Sequence, residues 1–228
     1  MEEILASPAW HALNSGNKSL GFGNEKVKYF AGEVSPFAAL VANTDENFQL
    51  LYEIHPGDRP ALFMSEVEIS IPEPWQVLAE VKAIQMVCKK QMQSENGSAI
   101  VVPLLEKHIP QMLELTRLTN PGPFAKRTIE FGHYAGIFED EQLVAMAGQR
   151  LLAYDHAEIS AVCTHPDHTG KGYAQQLMAH QVKRIFTEGN IPYLHVRHDN
   201  VRAIKVYENA GFCKSRDMYF YVLKKELK

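Results

Sequence analysis

A chain of 228 residues, 46% hydrophobic, can bury one large core or two smaller ones. Its formal net charge of -4 supplies no basic field for nucleic acid, and no apolar run reaches the ~18 residues that a bilayer span needs. The opening Met1-Glu2-Glu3-Ile4 is acidic where a secretory signal has a basic start, so a cytoplasmic protein is expected. Cys88, Cys163 and Cys213 lack the CxxC spacing of zinc or redox sites, which predicts reduced thiols that serve packing.

Charge divides unevenly. Residues 1–98 hold 7 Lys+Arg against 13 Asp+Glu, net -6, whereas residues 99–228 hold 16 against 14, net +2. An anion-binding site is expected in the second part, and the acidic first part predicts attraction for a cationic amine. In chain order, Gly21-Phe22-Gly23 follows no convincing strand and reads as a flexible loop. Lys26 to Phe30 alternates like a strand, Phe37 to Ala42 is apolar, and Asn47 to Ile54 fits helix or strand. These make a small α/β unit. The polar stretch 89–98, closing on Asn96-Gly97-Ser98, marks a boundary between units 1–98 and 99–228.

Beyond it the pattern sharpens. A strand is expected over Ala99 to Val102 and a helix from His108 to Leu118, broken by Pro121-Gly122-Pro123. Tyr134 to Glu139 and Gln142 to Tyr154 read as a hairpin about Asp140-Glu141, followed by a strand over Glu158 to Thr164. Ala174, Leu177, Met178, Val182, Ile185 and Phe186 fall on one stripe of a helix from Gly172 to Glu188. A strand from Tyr193 to Val196 precedes a helix from Val201 to Ala210, capped by Asp199-Asn200, and strands at Cys213 to Ser215 and Met218 to Leu223 close the chain. The whole reads as an α/β (α+β) chain in which the smaller α/β unit comes first.

The segment His165 to Ala174 joins a buried strand to the amino end of an amphipathic helix through Gly170-Lys171-Gly172. A helix start leaves its first N–H groups unpaired and carries partial positive charge, and glycines let phosphate oxygens approach the main chain. The spacing is neither a P-loop nor a dinucleotide fingerprint, since Tyr173-Ala174-Gln175 follows Gly172. Taken alone, Gly-Lys-Gly is more often a turn without a ligand.

Thr169-Gly170-Lys171-Gly172-Tyr173-Ala174 resembles the [RQ]-x-x-G-x-[GA] acyl-CoA motif of the GNAT superfamily, with Thr169 standing where that family usually has Arg or Gln. Asn200, Ala203, Tyr207, Gly211 and Phe212 match its second element, N-x-x-A-x-x-x-Y-x-x-x-G-F. With Pro36 to Leu40, Pro121 to Phe124, Tyr134 to Ile137 and Glu158 to Thr164, the chain resembles a bacterial two-part branch whose catalytic domain is C-terminal. The resemblance implies a GNAT fold, with a mixed central sheet flanked by helices, and an N-acetyltransferase that moves an acetyl group from acetyl-CoA to a primary amine by direct attack in a ternary complex. It implies a coenzyme site of Val162, Cys163, Thr164, His168, Thr169, Gly170, Lys171, Gly172, Tyr173, Ala174, Asn200 and Tyr207.

An alkyl ammonium with a pKa near 10.4 must lose a proton before it attacks a thioester, so a base or a water relay is needed. Glu158, where the family often keeps a catalytic glutamate, is the candidate if its pKa is raised; a carboxylate that only binds is the alternative. Tyr207 is the candidate acid for the departing thiolate, with a core tyrosine as the alternative. The pairs His165/His168 and His195/His198 lack a complete tetrahedral set, so no metal is expected, though one imidazole could relay a proton. Residues 1–98 carry neither motif and are assigned no CoA site; they are either a degenerate copy of the fold or a separate unit, and with residues 121–130 they are expected to shape the acceptor pocket. A non-catalytic acyl-CoA sensor or an interaction module on the same scaffold is the rival reading. Monomer and homodimer both stay open.

Overall fold

The computed structural model describes residues 2–90 and 98–226. In chain order the elements are α1 (Glu2–Ala6), α2 (Pro8–Asn14), β1 (Gly21–Gly23), β2 (Val27–Phe30), β3 (Ala38–Leu40), α3 (Asp45–Ile54), β4 (Ala61–Ser65), β5 (Gln76–Cys88), β6 (Val102–Pro103), α4 (Ile109–Thr119), β7 (Ala135–Glu139), β8 (Gln142–Ala153), β9 (His156–Thr164), α5 (Tyr173–Thr187), β10 (Ile191–Arg197), α6 (Val201–Asn209) and β11 (Phe212–Lys224). Eight strands form one mixed sheet in the order β4-β11-β5-β10-β9-β8-β7-β6, and β1-β2-β3 form a small second sheet. Within the large sheet only β9 and β10 run parallel, joined by the crossover helix α5.

Alternation along the central strands divides the core into two layers. Leu194 and Val196 of β10, with Ile84 and Met86 of β5, pack beneath Met178, Val182 and Ile185 of α5. On the opposite face Tyr193, Ala83, Val87 and Phe220 meet Ala9, Ala12 and Leu13 of α2. The two sheets join where Phe37 bridges Leu62, and the Leu62 N–H donates to the Pro36 carbonyl at 2.8 Å.

The boundary expected at 89–98 falls largely on residues 91–97, outside the described residues. On its N-terminal side, β4 and β5 are strands of the large sheet: β5 lies between β11 and β10. The N-terminal segment is also stitched to β8, where the Leu152 N–H donates to Asn17 Oδ1 at 2.7 Å and the Gly16 N–H to the Leu152 carbonyl at 3.2 Å.

Several local expectations change. Gly21-Phe22-Gly23 is an edge strand, not a loop, and a Cβ at Gly23 would sit 2.2 Å from the Val27 carbonyl oxygen, so the glycine answers to a tight turn. The strand expected at Ala99 to Val102 is displaced to β6, a two-residue edge that ends on Pro103. The two closing strands are one, β11, whose polar Ser215 is the extra residue of a bulge between Lys214 and Arg216. Cys88 and Cys163 are buried as packing residues, but Cys213 is exposed. No helix among the described residues is long and apolar enough to cross a membrane.

Candidate functional site

The parallel pair at the centre of the sheet does not stay paired. β9 and β10 are in register only from His156 to Glu158 against Ile191 to Tyr193, after which the strands diverge. The cause lies on the other edge of β9. Between Met146↔Cys163 and Gly148↔Ser160 the strand carries an extra residue, and Ala161 takes a left-handed φ of 53°. A bulge bends a strand and increases its twist, and a non-glycine residue held there is strained, a feature that clusters at functional sites. Beyond Glu158 the edge of β9 that faces β10 has no strand against it, so Val162, Cys163 and Thr164 offer main-chain donors and acceptors to an extended ligand.

After β9 the chain turns over Pro166–His168 and reaches α5 through two left-handed glycines, Gly170 at φ 81° and Gly172 at φ 78°. Gly172 occupies the cap position of α5 and no side chain caps the helix. The first amide to find an intrahelical partner is that of Gln176, which donates to the Gly172 carbonyl at 3.0 Å, so the amides before it project from the helix end. A Cβ at Gly170 would meet nothing within 4 Å. The turn leaves the N–H groups of Gly170 to Ala174 without a backbone partner, an arrangement that can receive an anion.

Side chains at the turn are arranged around a residue that the sequence reading missed. Lys171 Nζ donates to both oxygens of Glu139 at 2.9 Å, Tyr173 donates its hydroxyl to the same carboxylate, and His168 Nδ1 lies 3.2 Å from it. The Tyr173 and Lys171 hydrogen bonds hold the Glu139 carboxyl down to about 2. Thr169, at the position of the usual Arg or Gln, donates its hydroxyl to the Pro166 carbonyl at 3.1 Å and so braces the turn.

A cavity of about 1000 Å³ runs from this turn along the divergence of β9 and β10 into the N-terminal half. Of the expected site residues, Val162, Cys163, Thr164, Thr169, Ala174, Asn200 and Tyr207 line it together; His168, Gly170, Lys171, Gly172 and Tyr173 do not. Asn200 caps α6 by accepting from the Ala203 N–H at 3.1 Å. Losing that cap should cost about 1 kcal/mol. Asn200→Ala is therefore expected to lower the thermal midpoint by about 2–4 °C in the absence of ligand, and differential scanning calorimetry checks it.

Two lining groups have raised pKa values from burial. The Cys163 thiol is pushed up to about 12, as is the Tyr207 phenol. Neither ionises at neutral pH, so Cys163 is a poor nucleophile and Tyr207 stays a hydrogen-bond donor.

Glu158 departs most from expectation. It is fully buried and absent from the cavity wall, behind Arg150 and His195, which do line it. Arg150 grips its carboxylate with Nε at 2.9 Å and Nη2 at 2.5 Å, and His195 Nδ1 lies 2.7 Å from Oε1. Burial alone would raise the Glu158 pKa, but the Arg150 charge and hydrogen bonds, with His195, outweigh it and hold the carboxyl at about 2. The expected rise is thus overturned, because an isolated buried carboxylate and a paired one shift in opposite directions. Behind His195, Gln85 Nε2 lies 3.0 Å from the ring Nε2 and donates to the Leu5 carbonyl at 2.9 Å. Sequence reasoning missed Arg150 and Gln85 entirely.

Among the described residues no group of three His, Cys, Asp or Glu side chains is arranged to hold a metal. Among the described residues the cavity lining includes Arg59, Arg150, Arg197 and Arg202 and no aspartate or glutamate, and Arg59, Arg150 and Arg197 pair with Asp58, Glu158 and Asp199 outside it.

Residues 134–221 match the family described as FR47-like protein. Among solved structures, the chain is similar to a provisionally assigned GNAT-family acetyltransferase from Novosphingobium aromaticivorans, at 29% identity over 98% of this chain and 99% of that one, with a TM-score of 0.90. A GCN5-related N-acetyltransferase from Kribbella flavida is 12% identical over 97% and 96% of the two chains at a TM-score of 0.64. A GCN5-related N-acetyltransferase-like protein from Streptococcus suis is 14% identical over 90% and 82% at 0.55. The last two likenesses concern the fold alone. None of the curated proteins matches the chain.

Proposed function

We propose that the chain is a GNAT-superfamily transferase, as its likeness to an FR47-like family and to a GNAT-family structure supports, and that it moves an acetyl group from acetyl-CoA to an amine by direct attack within a ternary complex. One observation carries the reading. The uncapped glycine turn before α5 borders, through Thr169 and Ala174, the same cavity that the unpaired edge of β9 lines, so one extended molecule with a diphosphate at one end can use both.

Bound there, acetyl-CoA supplies an activated thioester carbonyl. The amides of the turn from Gly170 to Ala174 hold the diphosphate, with Lys171 and His168 flanking them. Val162, Cys163 and Thr164 pair with the pantetheine arm through their main chain, and one of their N–H groups polarises the carbonyl. Asn200 holds the same arm from the start of α6. Cys163 does not take the acetyl group, because its thiol stays protonated, and transfer runs directly to the amine.

Tyr207 donates to the departing sulfur. Burial pushes the Tyr207 phenol up to about 12, so it is protonated when the sulfur departs and serves as the donor. Tyr207→Phe is expected to lower kcat by about 10²-fold, within the usual range for losing a general acid, and to leave the acetyl-CoA Kd within threefold. A kcat within twofold of the parent sinks the assignment.

Glu158 acts through its neighbours. With its carboxylate sealed behind Arg150 and His195, it positions them, and the acceptor reacts as the neutral amine, its ammonium proton having been lost to bulk solvent. The rival sensor reading binds the same ligand without turnover. Calorimetry with acetyl-CoA, followed by free-thiol release with a panel of amines, separates the readings: heat without thiol release makes the protein a sensor, and no heat of binding removes both.

A further inference from the structure

In its N-terminal part the cavity is lined by apolar side chains, Phe37, Leu62, Val81 and Phe220, and by the guanidinium groups of Arg59 and Arg150 among them. Arg150 leaves only 11% of its side chain exposed, lies 4.8 Å over the Phe37 ring, and commits Nε and Nη2 to Glu158. Its Nη1 makes no hydrogen bond to a described residue, on a side chain that lines the cavity. Arg59, half exposed at the rim, donates from Nη1 to the Gly32 carbonyl at 3.0 Å. Gly32 and Phe37 belong to the connection between β2 and β3, so one short segment seats both cations.

Each of these arginines has a carboxylate behind it, Glu158 at Arg150 and Asp58 3.8 Å from Arg59, and neither carboxylate is in the lining. What faces the cavity is therefore the donor side of two balanced ion pairs. A guanidinium edge with an uncommitted N–H matches the geometry of a carboxylate and offers an alkyl ammonium, itself only a donor, nothing to bond to.

We propose that the acceptor is an amine that also bears a carboxylate, with an apolar body of the kind found in phenylalanine or leucine. Its carboxylate docks on Arg150 Nη1 with Arg59 at the rim, its body lies along Phe37 and Phe220, and its nitrogen faces the divergence of the strands. This rests on the transferase reading and leaves the chemistry unchanged: the ammonium loses one proton to solvent, the nitrogen bonds to the acyl carbon, the carbon–sulfur bond breaks, Tyr207 protonates the departing sulfur, and the second proton shed by the nitrogen returns through solvent to the phenolate.

The test uses the whole chain and pairs of acceptors alike in body: phenylalanine against phenethylamine, and leucine against isopentylamine. Initial rates of thiol release from acetyl-CoA are measured, together with thermal unfolding in each acceptor, with and without coenzyme A. The carboxylate members should show kcat/KM at least ~30-fold higher, about 2 kcal/mol of discrimination, and should alone raise the unfolding midpoint. Arg59→Gln should raise the KM for phenylalanine about tenfold with kcat within twofold, the mark of lost ground-state binding. Equal or faster turnover of the decarboxylated partners overturns the inference. So does a midpoint that phenylalanine and leucine move no further than those partners do, whether or not anything turns over. An absent heat of binding for acetyl-CoA is a different result, and it removes the transferase reading instead.

Discussion

Gly170→Val should weaken acetyl-CoA binding by at least ~100-fold, about 2.7 kcal/mol, while Gly189→Val, at the other end of α5, should leave it within twofold. The two positions are matched. Both glycines are left-handed, at φ 81° and 77°, and a Cβ built on either meets no atom within 4 Å. Forcing a β-branched residue into that region costs about 1–2 kcal/mol at each, so both variants should lose similar thermal stability. Only Gly170 stands where an anion must approach the main chain. Isothermal titration calorimetry with acetyl-CoA reads the difference, and equal affinities for the two variants would remove the cradle from the mechanism. Gly172→Val should behave like Gly170→Val, since the same turn carries both.

Elements whose apolar residues keep one period were legible in the sequence. The stripe Leu177, Met178, Val182 and Ile185 gives α5 to within a residue at each end, and the Asn200 cap marks the start of α6. What escaped were elements without a period. β4 is buried on both faces along its whole length, and β5 is exposed over its first residues and buried over its last, so neither alternates. α2 buries Pro8, Ala9, Ala12 and Leu13 in seven residues, too few to show a helical repeat.

The site was legible where it is made of main chain and obscure where it is made of long-range pairs. Glycine spacing before a helix reports the cradle, because the backbone conformation dictates the residue type. Arg150 and Glu158 were hidden by the hairpin's own geometry. Ala153↔His156 and Leu152↔Ala157 extrapolate to Leu151 opposite Glu158, but the bulge before Gln149↔Ile159 brings Arg150 there instead. His195 faces them from the next strand, and Arg59 from a connection whose position no local pattern sets.

That buried pair carries the largest stability effect expected in the molecule. Removing one partner leaves the other charged and without compensation in the core, so Glu158→Gln and Arg150→Met should each cost about 3–5 kcal/mol. The double variant Glu158→Leu with Arg150→Met should cost much less than the sum, because it removes both charges. The pH dependence follows from the direction of the shift. Glu158 is held at about 2 in the folded chain, below the ~4.3 of an unfolded glutamate, so its contribution is complete above that value and disappears as pH falls toward 2. Urea titrations from pH 7 to pH 2.5 should therefore show the parent losing stability below pH 5 more steeply than Glu158→Gln, with the two curves converging at the acid end. Parallel curves over that range would mean that Glu158 titrates alike in both states, and neither the ion pair nor its hold on Arg150 and His195 could then account for how the cavity floor is positioned.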